Sequence, residues 1–270
     1  MKEFFGFGGF NRPVEGFLSW QHLTFVGCML LIMAVLAYVF GRKNKNADDK
    51  TKNKVLIWSA ILIDAFEIAK IIILSFRADD PMVWKYNLPL FMCSLQLITI
   101  PLAAFSKGRL REASLDFVMI FGILGATLGT IGAGNIYSCF PVFSFDTVVS
   151  AITHCISGFA SLYIMFANMT SMKKSNEIIT FSILTTACVA AYIVNVIIDY
   201  NYMFLMRGDG TPYDILYALV NGSRVFYPLL VVALFFLYIG AFYLIYFRAN
   251  KKAEEKNTPK ASQEFATIKK

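Results

Sequence analysis

The chain has 270 residues, 57% of them apolar and only 16% charged, with a net charge of +7 and a mean hydropathy of +0.58. Soluble domains carry charge on about a quarter of their residues, so this composition excludes a soluble globular domain and implies a protein embedded in lipid. The basic excess does not imply nucleic-acid binding, because it sits in short loops and a tail and not on a folded basic surface.

Seven stretches are long enough to cross a hydrocarbon core, which needs about 20 helical residues: 20–41, 55–76, 86–106, 115–136, 147–169, 177–199 and 224–247. The first opens with His22 and is followed by the charged GRKNKNADDKTKNK. It exceeds a signal-peptide core and lacks a small-residue cleavage pattern, so it is expected to remain as a spanning helix.

The second stretch carries Asp64, Glu67 and Lys70 at i, i+3 and i+6, on one helical face. Each ionised group near a bilayer centre costs about 2.5–3.5 kcal/mol on insertion scales, so all three are expected to face the bundle interior. Glu67 and Lys70 can pair within the helix. The trio is then either a packing lock or part of a functional polar cavity.

The third stretch contains YNLPLFMCSLQ, which places Pro89, Cys93 and Gln96 in an otherwise apolar run. Pro89 and Pro101 each remove a backbone donor and can kink a helix. In the fourth, FGILGATLGTIGAGN includes Gly125 and Gly129, a small-xxx-small spacing that favours close helix packing. The fifth holds His154 beside Cys155; the sixth closes on Asn195, Asp199, Asn201 and Tyr202. The last contains no lysine, which excludes a retinal protein.

Lys and Arg alternate between the loops, eighteen on one side against six on the other. The positive-inside rule then puts the N-terminus outside and the C-terminus in the cytoplasm. The expected fold is an all-α polytopic bundle of seven transmembrane helices over residues 1–247. A basic, disordered cytoplasmic tail is expected over 248–270. The expected location is the cell membrane, with lipids as partners and anionic head groups against the basic face. Cys28, Cys93, Cys155 and Cys188 fall inside expected helices and only Cys139 in a loop, so no disulfide framework is implied.

At about 1.5 Å per residue, Cys93, His154 and Glu67 come to similar depth in the outer half, with His22, Asn201 and Tyr202 near the outer boundary. A thiol and an imidazole at one depth on neighbouring helices suit nucleophile and base. In that scheme Asp64 or Glu67 orients His154, and Asn201 or Tyr202 donates to an oxyanion. No H-x-x-x-H pair or other local ligand pattern calls for a metal, and no cofactor is implied. The competing class is a small-solute or proton-coupled transporter, or a membrane binding subunit, that uses Asp64, Glu67 and Lys70.

LPLFMCS (Leu88 to Ser94), FPVFSFDTVVSAITH ending at His154, NYMFL from Asn201, FYP from Phe226 and QHL around His22 together resemble the YwaF family of bacterial integral membrane proteins. Phe91 stands where that family has a histidine. More remotely, the pattern resembles a eukaryotic transmembrane acyltransferase that remodels ether phospholipids with a cysteine and histidine pair, and related hydrolases of fatty acid esters. The resemblance implies acyl transfer or ester hydrolysis on a lipid, with His154 as base and Cys93 as nucleophile.

Overall fold

In a computed structural model that describes residues 2–170 and 172–257, the chain is helical and contains no strand among the described residues. The long helices are α1 (Trp20–Asn44), α2 (Asp49–Ala78), α3 (Gln96–Phe105), α4 (Gly108–Ile131), α6 (Phe145–Phe166), α7 (Lys174–Ile198) and α9 (Phe226–Asn257). Short helices α5 (Gly134–Cys139) and α8 (Tyr213–Leu219) lie in the connections.

Local chemistry sets the ends. The Ser19 and Ser144 hydroxyls accept from the first-turn N–H groups of α1 and α6. At the C-termini of α2 and α7, Asp79 and Asp199 adopt left-handed backbone with φ of 50° and 51°.

Among the described residues, five helical spans are long and apolar enough to cross a membrane: Trp20–Asn44, Gly108–Cys139 (α4 continued by α5), Phe145–Phe166, Lys174–Ile198 and Phe226–Ala249. With 30 residues, or about 45 Å, α2 has the length, but Asp64, Glu67 and Lys70 interrupt its apolar run. The protein is therefore a multi-pass membrane protein. The helix expected over 86–106 is helical only from Gln96; a short turn covers Val83–Tyr86 and residues 87–95 are irregular. Pro89 is the local reason, since it removes a donor and disfavours helical backbone in the residue before it. At the other terminus α9 runs on to Asn257, into the expected tail, and residues 258–270 lie outside the described residues.

The centre of the bundle is α4 against α6. Every residue from Ala113 to Gly122 is buried, and small residues let the two backbones meet. A Cβ on Gly122 would sit 2.7 Å from the Ser157 carbonyl, and one on Gly158 would meet Ala126 at 2.5 Å. The Ser161 hydroxyl donates to Met119 O at 2.7 Å across the same seam.

Polar latches close both ends. At the basic end, Asn53 Nδ2 donates to Ala104 O at 2.7 Å and the Tyr163 hydroxyl to Lys52 O at 3.1 Å. Nearby, the fully buried Asp116 accepts from the Thr170 hydroxyl, from Asn176 Nδ2 at 3.2 Å and from the Tyr243 hydroxyl at 3.0 Å, tying α4 to α7 and α9. At the opposite end Arg77 makes a bidentate pair with Asp146 at 2.6 and 2.7 Å, clamping α2 to α6.

Candidate functional site

The irregular stretch between Asn87 and Leu95 is where the thiol sits, so Cys93 lies before α3 and not within a helix. The conformation is held from the α7–α8 connection. Asn195 exchanges two hydrogen bonds with the Tyr202 backbone, at 3.0 and 2.6 Å. The Tyr202 hydroxyl in turn donates to Lys85 O at 2.6 Å and accepts from Leu88 N at 3.1 Å. Phe91 packs edge-on against the Tyr202 ring, with centroids 5.0 Å apart, and also contacts Tyr200 and Phe204. This aromatic clamp fixes the turn that delivers Cys93.

From α6 comes His154. Its Nδ1 lies 2.7 Å from Ser150 O, one turn earlier. A carbonyl only accepts, so Nδ1 carries the proton and Nε2 of the neutral ring keeps its lone pair. The ring lines the same small cavity as the Cys93 thiol, whose own hydrogen-bond neighbour is the Ser94 hydroxyl at 4.0 Å. The group that orients His154 is thus a backbone carbonyl, in place of the carboxylate expected from Asp64 or Glu67.

The floor under the pair is α4. A Cβ on Gly129 would overlap the His154 ring at Cδ2 and Nε2, whereas one on Gly125 would rest 3.6 Å from Cys93 Cβ, an ordinary contact. The spacing expected to serve helix packing serves here to seat an imidazole.

Together these elements enclose a cavity of about 30 Å³ lined by Ile63 and Glu67 of α2, by Cys93, Ser94 and Leu97, and by Thr153 and His154 of α6. That is room for about one or two waters. Glu67 pairs with Lys70 at 2.5 Å along α2, while Asp64 is half-buried and has no partner among the described residues. Gln96 is fully buried one turn after Cys93.

The remaining candidates lie elsewhere. His22 is fully buried at the start of α1, where its ring packs on Tyr137 at 3.7 Å. Asn201 organises its own loop, donating to Arg207 O and Asp209 Oδ2 at 2.7 Å each and accepting from Met206 N at 2.9 Å. With both faces of its hydroxyl engaged, Tyr202 positions the thiol's segment and is not the free donor expected for an oxyanion. Asp116 was not singled out in the sequence; an acidic residue in the apolar run LDFVMIFG was the available signal.

A larger groove of about 430 Å³ runs between α1, α2 and α6, lined by residues such as Met33, Phe40, Trp58 and Cys155. It faces the side of α6 turned away from His154, because consecutive helical residues are rotated by about 100°. Its lining brings no base to Cys155, so the small cavity is the candidate site. Among the described residues no three His, Cys, Asp or Glu side chains cluster closely enough to hold a metal.

A family model described as the TMEM164 family matches residues 17–246. No curated protein and no solved structure matches the chain.

Proposed function

The chain belongs to the TMEM164 family, and from that premise and the buried thiol–imidazole pair we propose that it is an acyl-transferring membrane enzyme working through Cys93. The observation that carries the reading is the cavity shared by Cys93 and His154, in which the Nδ1–Ser150 O hydrogen bond leaves Nε2 of the neutral ring unprotonated. His154 takes the thiol proton as Sγ attacks a lipid ester, and returns it to the departing alcohol. The resulting thioester is resolved by a second lipid hydroxyl, giving acyl transfer, or by water, giving hydrolysis. The tightness of the cavity favours a reaction from which bulk water is held back.

The pass count and orientation follow from the same premise. We read α2 and the segment ending in α3 as two further passes, making seven with the five apolar spans. The helices alternate in direction so that their basic ends coincide, which supports an outer N-terminus, a cytoplasmic C-terminus and a cell-membrane location. The site then lies in the outer half, and the basic ends meet anionic head groups.

The test is to incubate purified protein with phospholipid in nanodiscs and look for a hydroxylamine-sensitive acyl adduct on Cys93 by mass spectrometry. The adduct should form in the wild type and be absent from Cys93→Ala and His154→Ala. Wild-type protein that never carries the adduct would overturn the reading. One observation favours a second reading: Glu67, ion-paired to Lys70, lines the same cavity. A transporter built on that pair would lose flux with Glu67→Gln and tolerate Cys93→Ala.

A further inference from the structure

A thioester on Cys93 must be opened by a second nucleophile, and the space beside the sulfur limits the choice. The cavity of about 30 Å³ is lined by the polar side chains of Glu67, Cys93, Ser94, Thr153 and His154, with only Ile63 and Leu97 apolar. That lining suits a buried water, which makes roughly two to four hydrogen bonds.

The lining groups divide into acceptors with a free lone pair and hydroxyls already engaged. Nδ1 of His154 is spent on Ser150 O at 2.7 Å, so Nε2 of the neutral ring is an acceptor. Glu67 gives one carboxylate oxygen to Lys70 at 2.5 Å, and its other oxygen has no partner among the described residues. The Thr153 hydroxyl donates to Ser150 O at 3.0 Å, and the Ser94 hydroxyl lies 4.0 Å from Cys93 Sγ. Once acylated, the sulfur carries no hydrogen. In that contact Ser94 must then be the donor, and no thiol competes for Nε2.

Two acceptors around one small space call for a molecule with two hydrogens. Water has both, and spending them leaves its lone pairs free for a carbonyl carbon. A lipid hydroxyl has one hydrogen, and its carbon needs room that the cavity lacks.

We propose that the cavity between Glu67 and His154 holds the water that cleaves the Cys93 thioester, which makes the chain a lipid ester hydrolase and not a lipid-to-lipid transferase. The inference rests on the acyl-enzyme reading and selects between its two outcomes. Glu67 holds one hydrogen of the water, and His154 Nε2 takes the other as a proton while the water oxygen bonds to the carbonyl carbon. The C=O then re-forms, the C–S bond breaks, and the departing thiolate takes that proton back from His154. The products are a free fatty acid and the Cys93 thiol.

With p-nitrophenyl decanoate in detergent, acylation of Cys93 reads as a burst of p-nitrophenolate, and hydrolysis of the thioester as the steady rate that follows. In Glu67→Leu the burst should stay within about threefold of wild type, which a merely structural loss would not allow, while the steady rate falls about 10²-fold, the cost of a misplaced reactant. Hydroxylamine attacks a thioester without a held water, so it should release the decanoyl group from both proteins at similar rates. If Glu67→Leu fails to fold, Glu67→Leu/Lys70→Met removes the stranded ammonium as well and must show the same split. A steady rate unchanged by the substitution, burst and steady rate that fall together, or unequal release by hydroxylamine would overturn the water site. So would wild-type protein in nanodiscs that passes its acyl group to an added lysophospholipid in preference to water. A wild type with no burst and no adduct on Cys93 would instead sink the acyl-enzyme reading itself.

Discussion

The surroundings of His22 and His154 make the most instructive pair of regions in the molecule. Both residues lie at the same end of the bundle, one opening α1 and the other about two and a half turns into α6. At His22 the Leu18 N–H donates to Nδ1 at 3.0 Å, so the proton sits on Nε2, which faces Thr130 O at 3.4 Å. Both nitrogens are spent on backbone, and the ring is sealed against Tyr137. At His154 the proton is on Nδ1 and only that nitrogen is spent, so the other is left for a thiol. Identical side chains thus hold opposite tautomers, and the adjacent backbone decides which of them is available for chemistry.

The largest test of this contrast is to delete each ring. His154→Ala should slow acyl-adduct formation on Cys93 by about 10²–10⁴-fold, the range for loss of a general base. His22→Ala should instead lower stability by about 1–3 kcal/mol through unpaired buried backbone groups, seen as a lower melting temperature by circular dichroism. Adduct formation per folded molecule should be kept in His22→Ala. Equal kinetic losses in the two variants would break the comparison.

The next test moves from the rings to the floor beneath one of them. Gly129→Ala places a methyl group where the His154 ring lies, and a displacement of about 1 Å costs about 10²-fold in rate. Gly125→Ala adds the same methyl at a position with ordinary clearance to Cys93, so the rate should stay within about threefold and the fold should gain slightly from the better helix former. Measured on the same adduct assay, similar losses in both variants would show that the two glycines serve only helix packing.

These positions also show how far the sequence could be read. Depth alone brought Cys93, Glu67 and His154 to one level, because helix rise and the alternation of passes are fixed by physics. What depth could not supply was anything set by backbone detail or by distant partners. The carbonyl that orients His154 belongs to Ser150, and a carbonyl leaves no mark in the residue code. The clamp on Leu88 comes from Tyr202, 114 residues away, so the same tyrosine read as an oxyanion donor is a positioning residue. Asp116 escaped notice for a similar reason: its three partners lie 54, 60 and 127 residues on. The unwound stretch around Cys93 was half legible, since Pro89 announces a break but not its length.

A smaller effect is expected from the Glu67–Lys70 pair. Removing one partner strands the other on the apolar helix α2, whereas removing both does not. Glu67→Gln and Lys70→Met should each destabilise the protein, and the double variant should recover part of the loss, with a coupling of about 1–3 kcal/mol in a double-mutant cycle on thermal unfolding. Additive losses would mean that the pair is a surface contact of little consequence.

The smallest effect separates holding the thiol from activating it. Tyr202→Phe keeps the ring that packs on Phe91 and deletes only the hydroxyl that joins Lys85 O and Leu88 N. A loss of about 1 kcal/mol in stability is expected, the usual net worth of such hydrogen bonds. Because His154 and its carbonyl partner are untouched, alkylation of Cys93 by iodoacetamide should stay close to wild type, while acylation should fall several-fold as the turn bearing Cys93 loosens. If alkylation falls as far as acylation, Tyr202 governs access to the thiol or its approach to His154, and the division between the α6 base and the α3 turn would have to be redrawn.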